Sequence, residues 1–320
     1  MELHVNERPL GHSGISTTPL MLGGNVFGWT ADRDNSFAVL DAFVEGGGRL
    51  IDTADVYSNW IPGLAGGESE NMIGEWQASR GCRDRILIAT KVGRGNGDLA
   101  GLSRRTIFKA IDESLQRLRT DYVDLYFAHL DDSVVPLEET LGAFDDLIRA
   151  GKIRAAGASH YSAERLLEAN AISAAHGLGH YQVLQPRYNL LTRYAFEGPL
   201  QQACIQSGIG VVPFYGLASG FLTGKYRDAG DLSGRQRGAE VAKYINPFGL
   251  GILAALDTVS AQTGASQAQV ALAWLMAQPG ITAPIASATT PAQVKELLRA
   301  MELRLSDEHL SLLDRASTPR

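Results

Sequence analysis

The sequence predicts an α/β fold, a single (β/α)8 barrel domain over residues 1–320 with an N-terminal β-hairpin cap and long loops on the C-terminal face of the sheet. Three observations carry that expectation. Short apolar runs alternate with segments of helical periodicity along the chain, the pattern of a parallel sheet with crossover helices. Eight such pairs can be counted, the number that closes a barrel. No stretch rich in proline, glycine or serine parts the chain into halves, so a two-domain division has no linker to run through.

In order, residues 3–18 hold two short alternating pieces around Leu10-Gly11-His12-Ser13-Gly14, a hairpin signal read as a plug or cap. Residues 19–22 form the first strand, ending at Gly23-Gly24-Asn25. Phe37, Leu40, Phe43 and Val44 then recur at helical spacing until Gly46-Gly47-Gly48 stops the helix. Residues 49–51 are a second, buried strand that breaks into Asp52-Thr53-Ala54-Asp55-Val56-Tyr57, followed by a helical pattern at 68–78. The third strand, 86–90, ends at Lys91. Ser103 caps a helix with Ile107, Ile111, Leu115 and Leu118 on one face, and the fourth strand, 123–128, ends at His129.

Pro136 marks the next helix start, with Leu137, Leu141, Phe144 and Ile148 as its apolar face and Gly151 as its stop. Strand 153–158 leads to Ser159-His160, and Ser162 opens a helix to about 175. Strand 181–184 ends at Gln185, 194–206 reads as helical, and strand 209–213 ends at Phe214. Ser266 caps a helix at 267–277, strand 281–285 is the last, and 291–300 is the last crossover helix. Two regions exceed this repeat, 58–67 and 216–248. Both follow strand C-termini, so both are expected on the functional face as binding loops or lids.

A net charge of −6, with no basic run longer than two residues, argues against nucleic acid as a partner, which clustered Lys and Arg would be needed to hold. Nor does any segment reach the roughly 18 consecutive apolar residues of a membrane span. The polar, acidic first residues read as cytoplasmic rather than as a signal peptide, and Cys82 and Cys204 as separate reduced thiols.

Asp52, Tyr57, Lys91 and His129 lie at or just beyond the tips of the second, third and fourth strands, and adjacent tips converge in a closed barrel. Singly, each residue type at such a place is more often solvated or structural. Together they can move a proton: Lys91 favours the phenolate and lowers the Tyr57 pKa from about 10, Asp52 pairs Lys91, and His129 orients the reacting oxygen.

Asp-Thr-Ala-Asp-x-Tyr at 52–57, Ile-Ala-Thr-Lys at 88–91, Asp124-Leu125-Tyr126 followed by Phe127-Ala128-His129, Gly-Lys-Ile-Arg-x-x-Gly-x-Ser at 151–159 and Gly-Phe-Leu-Thr-Gly-Lys-Tyr at 220–226 resemble the aldo-keto reductases over nearly the whole chain. The resemblance implies an NADPH-dependent carbonyl reductase, with NADH as the alternative cofactor, Tyr57 as general acid and Asp52, Lys91 and His129 completing a tetrad. By the same resemblance, Ser159 and Gln185 would hold the nicotinamide carboxamide and Phe214 would stack on its ring. Leu217 and Ser219 would meet the pyrophosphate, and Lys225 and Arg235 would strap over it. Ser287, Thr289, Gln293 and Glu296 would serve the adenosine end, where a helix N-terminus suits a phosphate. Gly24, Asn25, Asp52 and His160 complete the expected cofactor contacts.

The chain departs from that pattern at His160, where Asn or Arg is usual, at Tyr215-Gly216 for a usual Ser-Pro, at Thr289, where many members have Arg, and at Leu297 for a usual Asn. These departures bear on NADPH over NADH. The chain ends at Arg320 soon after a helical stretch at 307–316, so Trp29, Trp60 and the 58–67 loop are expected to shape the pocket for a small-molecule carbonyl substrate.

Three other readings compete. Gly95-x-Gly97-x-x-Ala100 matches a loose dinucleotide fingerprint, although the fold pattern is a barrel. His129, Asp131 and Asp132 would be the ligands if the chain were a metal-dependent barrel hydrolase, but no His-x-His supports them, and no metal ligands are assigned. An NADP(H)-binding, redox-sensing subunit of a larger assembly would carry the same tetrad.

Overall fold

A computed structural model of the chain describes residues 6–234 and 236–318. The first residues of the expected hairpin, 3–5, and Arg235 lie outside the described residues. The hairpin pairs β1 (Arg8–Pro9) antiparallel with β2 (Ser16–Thr17). Its turn takes a left-handed Gly11, φ +60°, where an added Cβ would strike the carbonyl of Gln182. The turn therefore sits directly on the starts of later strands.

The barrel follows as β3 (Met21–Gly23), α1 (Arg33–Glu45), β4 (Leu50–Asp52), α2 (Glu68–Arg80), β5 (Leu87–Val92), α3 (Arg104–Leu118), β6 (Val123–Ala128), α4 (Leu137–Arg149), β7 (Ile153–Ser159), α5 (Ala163–His176), β8 (Tyr181–Gln185), α6 (Pro199–Ser207) and β9 (Gly210–Val211). It continues with α7 (Gly238–Val241), α8 (Pro247–Thr263), α9 (Gln267–Ala277), β10 (Ile285–Ala286), α10 (Pro291–Arg299) and α11 (Asp307–Ser317). The eight strands β3 to β10 run parallel, in the order β10-β3-β4-β5-β6-β7-β8-β9. The seam closes where Thr282 N–H donates to Val211 O at 2.8 Å and Ile285 N–H to Pro213 O at 2.9 Å. The expected (β/α)8 barrel with an N-terminal hairpin is thus the observed architecture.

Strand alternation sorts the core into two parts. Leu50, Leu87, Ala89, Leu125, Phe127 and Val183 belong to an inner cluster that also contains Leu10 and Ile15 from the hairpin. Their neighbours Ile51, Ile88, Tyr126 and Leu184 belong to an outer cluster shared with the helices. The hairpin therefore closes the N-terminal end of the barrel with apolar side chains. Higher up, Phe127 fills the space opposite Gly157, where a Cβ would strike its ring.

The same alternation continued by two residues turns Asp52, Lys91, Ser159 and Gln185 inward at the other end. The strands accordingly run a residue or two further than the apolar runs suggest: β4 includes Asp52 and β5 includes Lys91.

The last two strands are shorter than expected: 209–213 reduces to Gly210–Val211, and 281–285 to Ile285–Ala286 with Ile281 in an isolated bridge to Val211. Two further stretches differ from the sequence expectation. Residues 194–206 are a short 3-10 turn, Arg193–Ala195, and then α6, because Gly198 adopts φ 95° and Pro199 restarts the helix at its first position. The long insertion contains α7 and several 3-10 turns, and α8 follows it where no helix was expected. Asn246 caps α8 by accepting from the amides of Phe248 and Gly249.

Candidate active site

The carboxylate of Asp52 stands at the centre of the C-terminal mouth. Lys91, from the neighbouring strand, donates from Nζ to Asp52 Oδ1 at 2.6 Å, to Thr53 O at 2.7 Å and to Tyr57 Oη at 2.9 Å. These three acceptors match the three N–H bonds of an ammonium. Tyr57 donates to Asp52 Oδ2 at 2.9 Å, and Gln185 Nε2 donates to Asp52 Oδ1, also at 2.9 Å. Ser159 Oγ donates to Gln185 O at 2.9 Å, locking the tips of β7 and β8 together.

Lys91 is fully buried and Asp52 nearly so. Burial pulls the Lys91 pKa down while Asp52 opposes it, and a complete set of acceptors is what lets a cation stay there. Tyr57 shifts in the opposite sense to the sequence expectation. Burial first, then the Asp52 carboxylate, push its pKa well above the ordinary phenol value, while Arg94 pulls it down. Burial disfavours the phenolate, and Asp52, as near the phenol as Lys91 is, adds to that effect.

His129 follows β6, and its ring centroid is 6.3 Å from that of Tyr57. Burial, then Lys91, Arg94 and His160, lower its pKa well below the usual imidazole value, so it is neutral at pH 7. Its Nδ1 is buried without a hydrogen-bond partner. Such an atom costs about 1–3 kcal/mol and suits a polar ligand atom. Trp60 is half-exposed and packs edge-on against Tyr57 (6.0 Å) and Trp29 (5.7 Å), so the three aromatic rings share one wall.

The expected cofactor residues fall into separate groups. Phe214 is partly exposed at the β9 tip, 5.0 Å from the His160 ring. Beyond it, Tyr215, Ala218 and Ser219 all take positive φ, followed by Gly220 at 91°. Left-handed non-glycine residues are strained, and a run of them turns successive amides toward one side, a form suited to anions. Leu217 lies in that turn, and Ser219 Oγ donates to Glu240 at 2.9 Å. Lys225 is exposed, with Nζ 5.2 Å from the Tyr226 ring.

At the other side Ser287 Oγ donates to Asn25 Oδ1 at 2.6 Å, and Gly24 N–H to Asp52 O at 2.7 Å. Thr289 N–H and Oγ1 both donate to Gln293 Oε1 at the start of α10, which Thr290 caps. Glu296 faces elsewhere: its Oε1 accepts from Ser266 Oγ at 2.5 Å, at the cap of α9. A part-exposed ring, strand-tip amide and hydroxyl groups, a nest-like turn and a capped helix start fit a nicotinamide dinucleotide.

Sequence reasoning passed over several groups around this mouth. Thr53 O takes one of the three Lys91 bonds. Asp55 is buried with neither carboxyl oxygen hydrogen-bonded, and Glu70 is buried beside it, accepting from Thr90 Oγ1 at 2.5 Å and Arg117 Nε at 2.6 Å. The sequence signal for the pair is slight: Asp55 lies in the polar run just past β4, and Glu70 in the acidic first turn of α2.

The competing motifs dissolve in the structure. Gly95, Gly97 and Ala100 lie in a loop that bridges back to Gly93, with α3 starting only at Arg104. Asp131 pairs with Arg165 at 3.0 Å, and Asp132 accepts from the amides of Leu102, Val134 and Val135. Among the described residues no three His, Cys, Asp or Glu side chains form a metal-binding group. Nor is any described helix long and apolar enough to cross a membrane.

Residues 19–318 match the sequence model of the Aldo/keto reductase family. The chain is 33% identical over 313 residues to the uncharacterized oxidoreductase YrpG of Bacillus subtilis, covering 95% of this chain and 94% of that one. It is 30% identical over 322 residues to the norsolorinic acid reductase of Aspergillus flavus, covering 95% and 79%. It is 33% identical over 329 residues, covering 96% and 92%, to a Schizosaccharomyces pombe protein whose name points to a voltage-gated potassium channel subunit beta.

Proposed function

The chain belongs to the aldo/keto reductase family, and on that premise we propose that it reduces an aldehyde or ketone to an alcohol with NADPH, Tyr57 serving as general acid. The observation that carries the reading is the part-buried phenol held at 2.9 Å both by the Lys91 ammonium and by the Asp52 carboxylate. The cofactor, when bound, supplies the hydride. Ser159, Gln185 and Phe214 would hold its nicotinamide, the turn from Leu217 to Ser219 with Lys225 its phosphates, and Asn25, Ser287, Thr289 and Gln293 its adenosine end.

The protein's own part is the proton. A carbonyl oxygen entering beside Tyr57 competes with Asp52 Oδ2 for the phenolic hydrogen, and rotation about the C–O bond redirects it. Asp52 keeps its bonds from Lys91 and Gln185 meanwhile. As charge develops on the carbonyl oxygen, Tyr57 gives up its proton and Lys91 Nζ stays beside the new phenolate. Neutral His129 offers the remaining hydrogen bond and sets the carbonyl's angle. Its unpartnered Nδ1 and the adjoining Trp60 and Trp29 wall support a small or open-ended substrate at that point.

A panel of aldehydes and ketones read as NADPH oxidation tests the reading. Tyr57→Phe is expected to lower kcat by about 10²–10⁴ with NADPH affinity nearly intact; an unchanged kcat on the best substrate would overturn the assignment. The likeness to a channel-subunit name favours a second reading, a cofactor-binding sensor within a larger assembly, in a cytoplasmic setting as for the enzyme. Slow single turnover with tight cofactor retention distinguishes the sensor from the reductase.

A further inference from the structure

We propose that the substrate carries a carboxylate as well as its carbonyl, and that Arg94 and Arg187 are the residues that hold the carboxylate; this rests on the reductase reading and narrows it. Arg94 leaves β5 three residues after Lys91 and is exposed. Its charge reaches Tyr57, His129 and His160, lowering the pKa of each. It lies two residues past the end of β5, where it bridges to Ala100, and so belongs to the C-terminal face on which the mouth opens.

Arg187 follows Gln185 by two residues and is only partly exposed. Its guanidinium lies 4.7 Å from the centroid of Tyr215 and 5.8 Å from that of Phe214, and its charge also acts on His160. Tyr215 in turn bears on Tyr57. The two arginines thus stand on the C-terminal face, Arg94 just past the β5 tip and Arg187 just past the β8 tip against Phe214 and Tyr215.

Neither arginine forms an ion pair among the described residues, unlike Arg83 with Asp124, Arg117 with Glu70, Arg165 with Asp131 and Arg193 with Glu197. Of the acids near the mouth, Asp52 is engaged with Lys91 and Asp131 with Arg165, while Asp55 is buried, with its pKa raised by that burial. In a chain with six more acids than bases, two guanidinium groups left without carboxylates at one opening call for an anion from outside. A guanidinium stacked on aromatic faces keeps its planar N–H fork for in-plane partners, and a carboxylate matches that fork with two parallel bonds.

The test compares kcat/KM for 4-carboxybenzaldehyde and 4-formylbenzamide at saturating NADPH, since the two differ little in size but carry different charge. The wild-type protein is expected to favour the carboxylate about tenfold or more, through KM. Arg94→Gln and Arg187→Gln should each bring that ratio down severalfold while NADPH affinity stays as it was. A ratio near one, or a ratio that neither substitution changes, overturns the proposal. If neither aldehyde is turned over, the reductase reading is what fails. Binding of 4-(hydroxymethyl)benzoate and of its amide to the NADP+-loaded protein, followed by tryptophan fluorescence, then decides the carboxylate question. Tighter binding of the benzoate, weakened by Arg187→Gln, upholds the proposal, and equal binding refutes it.

Discussion

Asp55 carries a carboxyl whose pKa lies far above the usual carboxylate range. Burial, then the nearby Glu70, push its carboxyl up to about 8 against the pull of Arg117 and Lys91. An unfolded chain ionises this group near pH 4, so the folded state keeps a proton that the unfolded state has lost. Stability therefore falls as pH rises from about 4 to about 8, at roughly 1 kcal/mol per unit, and levels off beyond. Asn cannot ionise, so Asp55→Asn should melt higher than the wild type by a margin that widens from pH 5 to pH 8.5. Melting curves at three pH values would show it, and a constant margin would mean that Asp55 is already charged. The sequence made the tetrad readable because strand alternation and tip position are periodic properties. It could not show the direction of the Tyr57 shift, which depends first on burial and then on Asp52 standing as near the phenol as Lys91 does. Nor could it single out Arg94 and Arg187, whose unpaired state is a property of three-dimensional neighbours.

At the level of elements, α2 and α3 pack through a small-residue contact. A Cβ on Gly74 would run into the carbonyl of Arg117 and come within 2.8 Å of the Leu118 Cα. Backbone cannot yield there as a side chain can, so Gly74→Ala should destabilise the protein by about 1–3 kcal/mol despite Ala's better helix propensity. Chemical denaturation would measure it, and a gain in stability would show that the two helices separate freely. The same contact seats Arg117 over buried Glu70, joining α2, α3 and the Thr90 hydroxyl of β5 beneath the mouth. Most elements were legible because apolar periodicity and caps agreed, as at Ser103, Ser162 and Ser266. Helix α8 was not, since Gly249 and Gly251 near its start resemble the loop before it and its apolar residues are not confined to one face. Gly198 and Pro199 split the helix expected at 194–206 for a reason that lies in backbone conformation rather than in periodicity.

For the whole molecule, the insertion between β9 and α8 is the least regular part, a series of short turns that includes α7. If it closes over the cofactor, ligand binding and its ordering are one event. NADPH at about 100 times its Kd should add ~2.7 kcal/mol of stability, raise the melting temperature by a few degrees, and slow proteolysis within 216–246. NADH at the same concentration should do less. Equal shifts from the two cofactors would remove the assigned preference, and thermal scanning with limited trypsin digestion reads both effects.

The hairpin fills the lower end of the barrel with Leu10 and Ile15, so among the described residues it is the opposite, C-terminal end that offers the phenol its way to bulk water. On the proposed mechanism each turnover would strip Tyr57 of a hydrogen ion, and its replacement would travel through the same opening by which the alcohol departs. Resupply and departure are therefore consecutive traffic in one corridor. Thickening the solvent with sucrose should slow turnover of the bulkiest substrates most, and exchange into heavy water should slow the same substrates in parallel. If the two sensitivities vary independently across a series of substrates, water has another way in.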